Sequence, residues 1–414
     1  MVSRMWSYDQ VEPHVASSSV LVSAFIDYSS GVRCRVSRST DDGATWSDVG
    51  ILDIPAATTK SGDPVVVTDT TGKFVVTCIA FDGFSYIVIW ESTDGGSTWT
   101  DPQTVVVSYN STEIFHDKPW MAVDPWYASP YKDRVYICWT RFDKTTSTTD
   151  ILFRRVLPTQ GPQKLLSVGA VHGCNLAVGA NGEIYVVWAR YVSVGSDSIV
   201  LSRSYDGGNT WTNPVTIASF ITFRICPNTN GCIQGTGSSH FRVDNFPRIA
   251  TDEFGGVHVT FASYESDSWP TDTGDIMYTR SVDCGQGGSC TWSDELRINS
   301  NINGDQWEPA IYVSIVTDTI YITALDRRND PENIDWEVWS YHCYIGGNNC
   351  WYYPAAWSNE RVADYQSNNA GKNFIGDYHG VNDAAIKDAV TVRVRLVDSQ
   401  DDLHFDIYSS RTGS

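Results

Sequence analysis

The stretch ESTDGGSTWTD, from Glu91 to Asp101, has close copies elsewhere in the chain. Ser39 to Trp46 reads STDDGATW, Ser204 to Trp211 reads SYDGGNTW, and a longer version, SVDCGQGGSCTW, runs from Ser281 to Trp292. In the shared pattern S-x-D-x-G-x-T-W, the serine and aspartate side chains can bond nearby backbone amides, and glycine supplies a positive φ at little cost. We therefore expect a structural turn between two strands, with its tryptophan packed back against them, and not a catalytic site.

A second pattern marks the start of a repeated unit. It is a short apolar strand, often opened by a charged residue and a proline. The starts are EPHVAS from Glu12, DPVVVTD from Asp63, KPWMAVD from Lys118, CNLAVGA from Cys174, FPRIATD from Phe246, EPAIYVS from Glu308 and, more weakly, DYHGVNDA from Asp377. After each start come a turn with Gly or Asp and two further strands rich in β-branched and aromatic residues, and in most units the S-x-D-x-G-x-T-W turn follows. The units are slightly longer than the ~40–50 residues of typical propeller blades.

Four antiparallel strands repeated in this way predict an all-β fold, a seven-bladed β-propeller, with six blades as the alternative. The seventh unit ends before its fourth strand. The N-terminal segment RMWSYDQ could supply that strand and close the ring, which would remove exposed sheet edges. We expect residues 1–414 to form a single propeller domain. An insertion at about 219–245 is long enough to act as a lid or a partner contact.

The repeated turn resembles the Asp box, also called the BNR repeat, of sialidases and related β-propellers. The resemblance covers nearly the whole chain and implies a propeller of the sialidase-like superfamily, whose members are often secreted and often act on or bind glycans. It is not a close match to the catalytic sialidases, which usually have six blades and an F-R-I-P arginine motif. Here the corresponding segment reads Phe246-Pro247-Arg248-Ile249, with the proline before the arginine. The family's catalytic arginine, tyrosine and aspartate are therefore not carried over to this chain.

The charge balance argues against several partners. The formal net charge is -20 and the pI is about 4.6. There is no basic run, so nucleic acid and anionic membranes are poor partners. No apolar stretch approaches the ~20 residues that a membrane span needs. The first residues lack the apolar core of a signal peptide, so a signal either has been removed or was never there. We expect an extracellular or cell-surface protein from which the signal has been removed.

Cysteine usage supports the same compartment. Of ten cysteines, three pairs lie close in sequence within turn-like segments: Cys226 with Cys232, Cys284 with Cys290, and Cys343 with Cys350. Pairing across such short loops predicts disulfides and an oxidising compartment, with free thiols in a cytosolic protein as the alternative. The sequence leaves Cys34, Cys78, Cys138 and Cys174 unpaired, in apolar strand-like runs.

Propeller geometry places strand 1 starts and strand 2 ends around the mouth of the central channel, which is the default place for a ligand. Arginine recurs at matching strand 2 ends, at Arg141, Arg190 and Arg327, and Arg248 lies at a strand 1 start. Guanidinium groups facing one mouth suit a carboxylate or sulfate. The alternative is that each arginine pairs with a neighbouring aspartate inside its blade.

Other residues at the same mouth are candidates for chemistry. Asp326 and Glu308 are the predicted acid and base, Tyr378 is a candidate nucleophile, and His379 could move protons. The remaining ligand-binding candidates are Trp120, Trp307 and His116. The carboxylates could bind calcium, although no EF-hand-like loop specifies it, and histidine spacing supports no metal site.

These features predict a secreted, carbohydrate-active protein, and a glycoside hydrolase acting on an acidic glycan at the propeller mouth is the first hypothesis. A polysaccharide lyase is its enzymatic variant. The alternatives are a non-catalytic glycan-binding propeller and a structural or self-assembling propeller of the cell surface or extracellular matrix.

Overall fold

The computed structural model describes the chain apart from residues 1–7, 193–195, 224–230, 238, 269–271, 287–289, 300–302, 348–349, 363–365, 370–371, 373, 385–387, 400–401 and 412–414. Apart from three short 3-10 helices, the regular elements of the described part are β-strands. Within that part, no helix is long and apolar enough to cross a membrane.

The first half of the chain forms four antiparallel, four-stranded sheets. The first contains β1 (Gln10–Ser17), β2 (Leu21–Asp27), β3 (Arg33–Ser39) and β4 (Ser47–Ile51). The second contains β5 (Lys60–Thr68), β6 (Phe74–Asp82), β7 (Phe84–Ser92) and β8 (Gln103–Ser108). The third contains β9 (Ile114–Val123), β10 (Val135–Asp143), β11 (Thr148–Leu157) and β12 (Lys164–Gly169). The fourth contains β13 (Val171–Val178), β14 (Ile184–Arg190), β15 (Asp197–Ser204) and β16 (Val215–Phe220).

The second half begins with a separate hairpin of β17 (Cys232–Gln234) and β18 (His240–Arg242). The fifth sheet contains β19 (Arg248–Thr251), β20 (Val257–Ser268), β21 (Asp272–Ser281) and β22 (Leu296–Arg297). The sixth contains β23 (Gln306–Ser314), β24 (Thr319–Asp326), β25 (Glu337–Tyr344) and β26 (Ser358–Arg361). The last sheet has three strands, β27 (Gly380–Ala384), β28 (Asp388–Ser399) and β29 (Asp402–Arg411).

The structure confirms a propeller arrangement of four-stranded antiparallel sheets, and it shows six four-stranded blades, the count given as the alternative. The prediction of seven such blades is wrong for the last unit, which has three strands in the described residues. The first strand of that unit, β27, contacts both β23 and β1. The N-terminal segment predicted to add a fourth strand lies largely outside the described residues, so closure of the ring stays a prediction.

The first strand of most blades carries a β-bulge at the same place. The pairing register shifts between Val11 and His14 in β1, and equivalent shifts occur in the pairing of β5, β9, β13 and β23. The residue at the bulge has a positive φ, 54° at Glu12, 54° at Asp63, 48° at Lys118 and 54° at Glu308. A bulge re-aims a side chain that would otherwise follow the strand alternation. These four charged residues immediately precede proline and open the repeated strands.

The fourth blade has Gly173 at this position, also with a positive φ of 69°. A Cβ atom there would lie 1.9 Å from the ring of Phe246, so no side chain fits. The ring of Phe246, just before β19, takes the space that a charged side chain occupies in the four blades with a charged bulge residue.

The repeated S-x-D-x-G-x-T-W turns join the third strand to the fourth, as predicted. In the second blade, Ser97 N and Thr98 N each donate to Asp94 Oδ1 at 3.0 Å, and Thr98 Oγ1 donates to Asp94 Oδ2 at 2.6 Å. Asp41, Asp206 and Asp283 accept equivalent bonds from their turn threonines. These turns lie at the ends of the sheets away from the bulges, so they stabilise the hairpins and leave the mouth to other residues.

Disulfides link both turns and blades. Cys284–Cys290 and Cys343–Cys350 form within turns, as predicted. Two further disulfides, Cys34–Cys78 and Cys138–Cys174, join the first blade to the second and the third to the fourth. None of the described cysteines is free. Cys226 lies outside the described residues, and its predicted partner Cys232 is disulfide-bonded.

The hydrophobic core lies between neighbouring blades. One apolar cluster combines residues of the first and second blades, and three others join the second to the third, the third to the fourth and the fourth to the fifth. Trp90, Trp139 and Trp188 are fully buried in this series. Each blade is therefore stabilised chiefly by the next one, as in other repeat architectures.

The insertion is defined here as residues 221–247 between β16 and β19, and its described hairpin packs on the sixth blade. Phe241 of its hairpin lies 5.9 Å from the Trp307 ring and 5.6 Å from the Trp336 ring, measured between ring centroids. Arg327 Nη2 donates to Gln234 O at 2.7 Å, which fixes the hairpin backbone. The insertion is thus anchored across the mouth.

We expect Asp94→Ala to lower the free energy of unfolding by about 1 kcal/mol, because several backbone and hydroxyl donors lose their acceptor. The hydrogen bonds from Thr98 lower the pKa of Asp94 from 3.8 to about 2. The stabilisation should therefore be present above pH 4 and be lost as the pH falls through about 2. Urea unfolding of Asp94→Ala at several pH values tests this, with the exposed Asp101→Ala as control. Equal stability of the two variants at pH 7 would contradict the structural role.

Candidate functional site

The first four blades, the insertion and the segment before β27 line a cavity of about 460 Å³ at the propeller mouth, which we call the mouth cavity. Its polar lining consists mainly of Glu12, Asp63, Asp117, Arg242, Asp244 and Asp377. The half-buried rings of Tyr28 and Phe374 lie on its border. The volume is within the ~300–1,000 Å³ of pockets for small ligands, and convergent polar groups in such a pocket are the usual mark of a site.

Two bulge residues form a proton-sharing carboxyl pair. Glu12 and Asp63 lie in hydrogen-bonding contact with each other. Burial, with the charge of Asp117 as the second cause, raises the pKa of Asp63 from 3.8 to about 7. Burial and the neighbouring Asp63 raise the pKa of Glu12 well above its usual range. The amide of Lys118 donates to Asp63 Oδ2 at 3.0 Å and fixes the orientation of that carboxyl group.

Asp117 behaves in the opposite way. His172 Nε2 lies 3.4 Å from Asp117 Oδ2. Although burial alone would favour the protonated form, the hydrogen bond and charge of His172 lower the pKa of Asp117. One wall of the cavity thus combines carboxyl groups that keep their protons near neutral pH with one that stays ionised.

A second acid pair lies beside the first, since Asp377 N donates to Glu12 Oε1 at 3.2 Å. Arg242 Nη2 donates to both carboxylate oxygens of Asp377, at 2.6 Å to Oδ1 and 2.5 Å to Oδ2. Burial opposes ionisation of Asp377, but the charges of Arg242 and Lys118 lower its pKa. Burial and the neighbouring Asp377 raise the pKa of Asp244 well above its usual range. This second pair therefore also combines a protonated carboxyl group with an ionised one.

A layer of aromatic and basic side chains lies beneath the carboxyl groups. Lys118 Nζ lies 3.6 Å from the centre of the Tyr378 ring, and the Arg248 guanidinium lies 4.6 Å from the Trp120 ring. Lys118 Nζ and Arg248 Nη1 are buried and have no hydrogen-bond partner among the described residues. Burial and the nearby Arg248 lower the pKa of Lys118. The Tyr378 hydroxyl donates to Pro64 O at 2.8 Å, so it points away from the mouth cavity.

Glu308 and His379 form a separate contact near this layer. His379 Nδ1 lies 3.3 Å from Glu308 Oε1, and His379 Nε2 lies 2.9 Å from Thr323 Oγ1. Burial raises the pKa of Glu308. The structure therefore brings together five of the predicted residues near the axis: Glu308, Tyr378, His379, Arg248 and Trp120. Their functional roles stay predictions.

Other predicted residues do not contribute to the mouth. Asp326 is buried, accepting from Arg328 Nε at 2.9 Å and from the Tyr341 hydroxyl at 2.6 Å, so its pairing with Glu308 as acid and base is corrected. Arg327 is fully buried in an ion pair with Asp305 at 3.0 Å. Trp307 is also fully buried, beneath the insertion. None of the three side chains is open to a ligand.

Two strand-end candidates are held within their own blade. Arg141 pairs with Asp150, which realises the alternative of an intra-blade ion pair. His116 is buried and accepts a hydrogen bond from Trp139 Nε1 at 3.1 Å. Burial lowers the pKa of His116 to about 4, so its imidazole is neutral near neutral pH. Arg190 is half-buried at the end of β14, and its predicted role is untested.

Sequence reasoning placed Glu12, Asp63 and Lys118 at strand starts but did not select them. The available signal was the charged residue before proline, which marks the repeat and in the structure marks the bulge. Arg242 and Asp244 lie in the insertion, and the repeat pattern does not predict where the insertion packs. Among the described residues, no group of three or more His, Cys, Asp and Glu side chains is arranged to hold a metal ion. Calcium binding stays a prediction.

Comparison with protein families gives one match, to the BNR repeat-like domain, over residues 32–245. This match covers just over half of the chain. The protein is therefore an Asp-box β-propeller, and it belongs to the family of BNR repeat-like domains. No curated protein sequence matches the chain significantly.

Several solved structures with a similar fold are distant in sequence. A polysaccharide lyase, an ulvan lyase bound to -[GlcA(1-4)Rha3S]-, is 10% identical with a TM-score of 0.58, over 98% of this chain and 95% of the lyase. An α-L-arabinofuranosidase of Fusarium graminearum with arabinobiose is 11% identical with a TM-score of 0.50, over 84% of this chain and 95% of that enzyme. A Hadza microbial sialidase is 15% identical with a TM-score of 0.46, over 76% of this chain and 63% of its own. The likenesses to the lyase and the arabinofuranosidase support the propeller fold.

The raised pKa of Asp63 predicts a pH-dependent stability. Between the unfolded value of 3.8 and the folded value of about 7, the folded protein binds more protons at this carboxyl group than the unfolded chain. Stability should therefore fall as the pH rises through this window. We expect Asp63→Asn to gain stability relative to wild type at pH 8 by on the order of 1 kcal/mol or more, and to gain little at pH 4.

Chemical denaturation at the two pH values measures this difference. Asp101→Asn, at an exposed aspartate outside the mouth, should show no such change. If the stability of Asp63→Asn relative to wild type were the same at both pH values, Asp63 would not be a proton-holding group.

Proposed function

We propose that this protein is a secreted carbohydrate-active enzyme, a glycoside hydrolase that cleaves an acidic glycan in the mouth cavity. The observation that supports this most is the set of carboxyl groups around one cavity, in which protonated and ionised members face a common space. Glycoside hydrolysis generally needs one carboxylic acid to protonate the leaving oxygen and one carboxylate to act as base or nucleophile. Environments that push the pKa values of neighbouring acids apart assign these roles.

Asp63 is the proposed general acid. Its pKa of about 7 keeps a proton available near neutral pH, and the Lys118 amide orients the group. Asp117 is the proposed base or nucleophile, because His172 favours its ionised form. Glu12 shares the proton of Asp63 and would return it after each turnover. General acid–base groups of this kind contribute about 10²–10⁴-fold to a rate.

Basic and aromatic groups supply the proposed recognition. Arg242 lines the cavity, so a carboxylate or sulfate of the glycan can bind beside its guanidinium group. Arg248 lies in the buried layer below, where its charge adds to the positive potential. The side chains of Lys118 and Arg248 are proposed to be positioned by the residues around them in the layer below the cavity, which are Trp120, Glu308, Tyr378 and His379. Tyr378 is not proposed as a nucleophile, because its hydroxyl is bonded to Pro64 O. Secretion is proposed from the disulfides, since such bonds persist in oxidising compartments.

A polysaccharide lyase is the second candidate. The specific observation is Lys118, a buried amine with a lowered pKa beside Arg248, which could abstract a proton while the arginine neutralises a uronate. A proton-abstracting lysine needs such a lowered pKa. The protein that is similar in fold over nearly the whole chain is a polysaccharide lyase, which supports this candidate.

Product analysis decides between these reactions. We expect wild-type protein, incubated with sulfated, uronate-containing and neutral polysaccharides, to give products heavier in total by one water per cleavage. Asp63→Asn should lower kcat by about 10²–10⁴-fold with a small change in KM. Products without added water and with an unsaturated sugar, together with loss of activity in Lys118→Met, would favour the lyase. Binding of a glycan with no product would support a non-catalytic propeller.

Asp326 provides a contrasting test of the site. Asp326→Asn should lower the free energy of unfolding by about 3 kcal/mol, because Arg328 loses its buried counter-charge. It should retain kcat at a temperature where the variant is folded, since Asp326 does not line the mouth cavity. Thermal unfolding and steady-state kinetics measure the two effects separately. Loss of kcat in a fully folded Asp326→Asn would contradict the placement of the active site.

A further inference from the structure

A second cavity, of about 330 Å³, lies beside the mouth cavity between the fourth blade and the insertion. Its lining includes Tyr191, Val192, Asp197, Thr222 and Asn245, none of which has a role in the proposed hydrolysis. We call it the side cavity. It is within the size range of ligand pockets by itself.

The two cavities meet at two residues. His172 and Asp244 appear in the lining of both. His172 is the partner of Asp117, and Asp244 is the protonated member of the acid pair with Asp377. The proposed catalytic groups therefore lie at the junction of the cavities and not at the closed end of one.

The side cavity has a fixed polar wall. Asp197 Oδ1 accepts from Val192 N at 2.8 Å, and Asp197 Oδ2 accepts from Thr222 Oγ1 at 2.5 Å. Tyr191, half-buried, packs edge-on against Phe220 with 6.0 Å between ring centroids. Burial raises the pKa of Tyr191 well above its usual range, so its hydroxyl stays neutral. A held aromatic ring with a neutral hydroxyl suits a sugar, whose apolar face stacks while its hydroxyls bond.

A bound chain cannot continue down the propeller axis from the mouth cavity. Lys118, Tyr378 and Trp120 pack against one another below it, with Tyr378 fully buried. The apolar cavity of about 400 Å³ on the other side of this layer shares no lining residue with the mouth cavity. The continuation that the cavities allow is sideways, past His172 and Asp244.

We propose that the mouth and side cavities are consecutive subsites of one groove, which binds a polysaccharide chain and places an internal linkage at the catalytic carboxyl groups. Phe374 and Tyr28 hold the sugar on one side of the junction, and Tyr191 holds the sugar on the other. This inference rests on the proposed function for the cleavage itself, whereas the two-sided groove can be tested by binding alone. The substrate is then a polymer cut within the chain and not a terminal sugar.

Binding as a function of ligand length tests the groove. The probes are size-graded oligosaccharides of ulvan and of arabinan, measured by titration calorimetry. For the polymer that binds, affinity should rise with length and then level off once both cavities are filled. Tyr191→Ala and Phe374→Ala should each weaken binding of the long oligosaccharides about tenfold, as expected for loss of one well-packed aromatic contact. The shortest ligand that binds should lose affinity in only one of the two variants.

Tyr127→Ala is the matched control, because Tyr127 is 81% exposed and lies between β9 and β10 on the opposite face. Val192→Trp gives a second approach, since Val192 is 44% exposed and a larger side chain there should fill the side cavity without disturbing the core. It should reduce affinity for long ligands to that of short ones. If no oligosaccharide in either series binds more tightly than its monosaccharide, the groove is overturned.

The size of early products tests the position of the cut. For the polymer that is cleaved, solution viscosity should fall before reducing ends accumulate, and long fragments should appear first. Release of only mono- or disaccharides from the first turnovers would overturn internal cleavage. Length-dependent binding that is lost in Tyr191→Ala, without any cleavage, would keep the groove and reject the hydrolase, so the two failures are distinguishable.

Discussion

The structure of the mouth depends on one local constraint, the bulge in the first strand of the blades. At Glu12, Asp63, Lys118 and Glu308 the chain holds a charged, non-glycine residue at positive φ, a conformation that costs of order 1–3 kcal/mol for each residue. Such strain persists only where surrounding structure determines it. Here the apolar clusters between neighbouring blades fix the first strands and hold the bulges in place. The same constraint turns these charged side chains toward the axis, where an ordinary alternating strand would place only some of them.

Concentrating acids in this way creates an electrostatic problem, which the protein solves by protonation and pairing. Burying several carboxylates as ions would be costly, so some keep a proton and the others lie beside a basic side chain. Arg242 pairs with Asp377, and His172 lies beside Asp117. The pKa values of Glu12, Asp63 and Asp244 are raised, so these carboxyl groups favour the protonated form. Acids in two protonation states around one cavity are a direct consequence of this arrangement. It is also the property that acid–base catalysis requires.

Sequence patterns were sufficient for the propeller because each unit repeats its own local signals. The Asp-box turns, the apolar strands and the short-loop disulfides all depend on residues that are close in sequence. Cys34–Cys78 and Cys138–Cys174 could not be predicted, since each joins different blades and depends on how neighbouring sheets align. The bulge in the first strands could not be predicted from the sequence either. A residue before proline normally adopts an extended conformation with negative φ, so the Glu-Pro and Asp-Pro pairs predicted ordinary strand starts.

The misassigned residues show why strand position alone does not identify a ligand site. Arg327 and Trp307 were selected because they end or open strands at the mouth, and they do lie there, but under the insertion. The Arg327–Asp305 ion pair is fully buried, and loss of either partner would leave an uncompensated charge. Together with Phe241 packed on Trp307 and the hydrogen bond from Arg327 Nη2 to Gln234 O, this ion pair fixes the described hairpin of the insertion to the sixth blade. Because the insertion places Arg242 and Asp244 on one side of the mouth only, the mouth lacks the rotational symmetry of the blades. The radial mouth of a repeat protein thereby acquires a direction, from Phe374 past His172 and Asp244 toward Tyr191, and a direction is what an extended chain needs in order to bind in a single register.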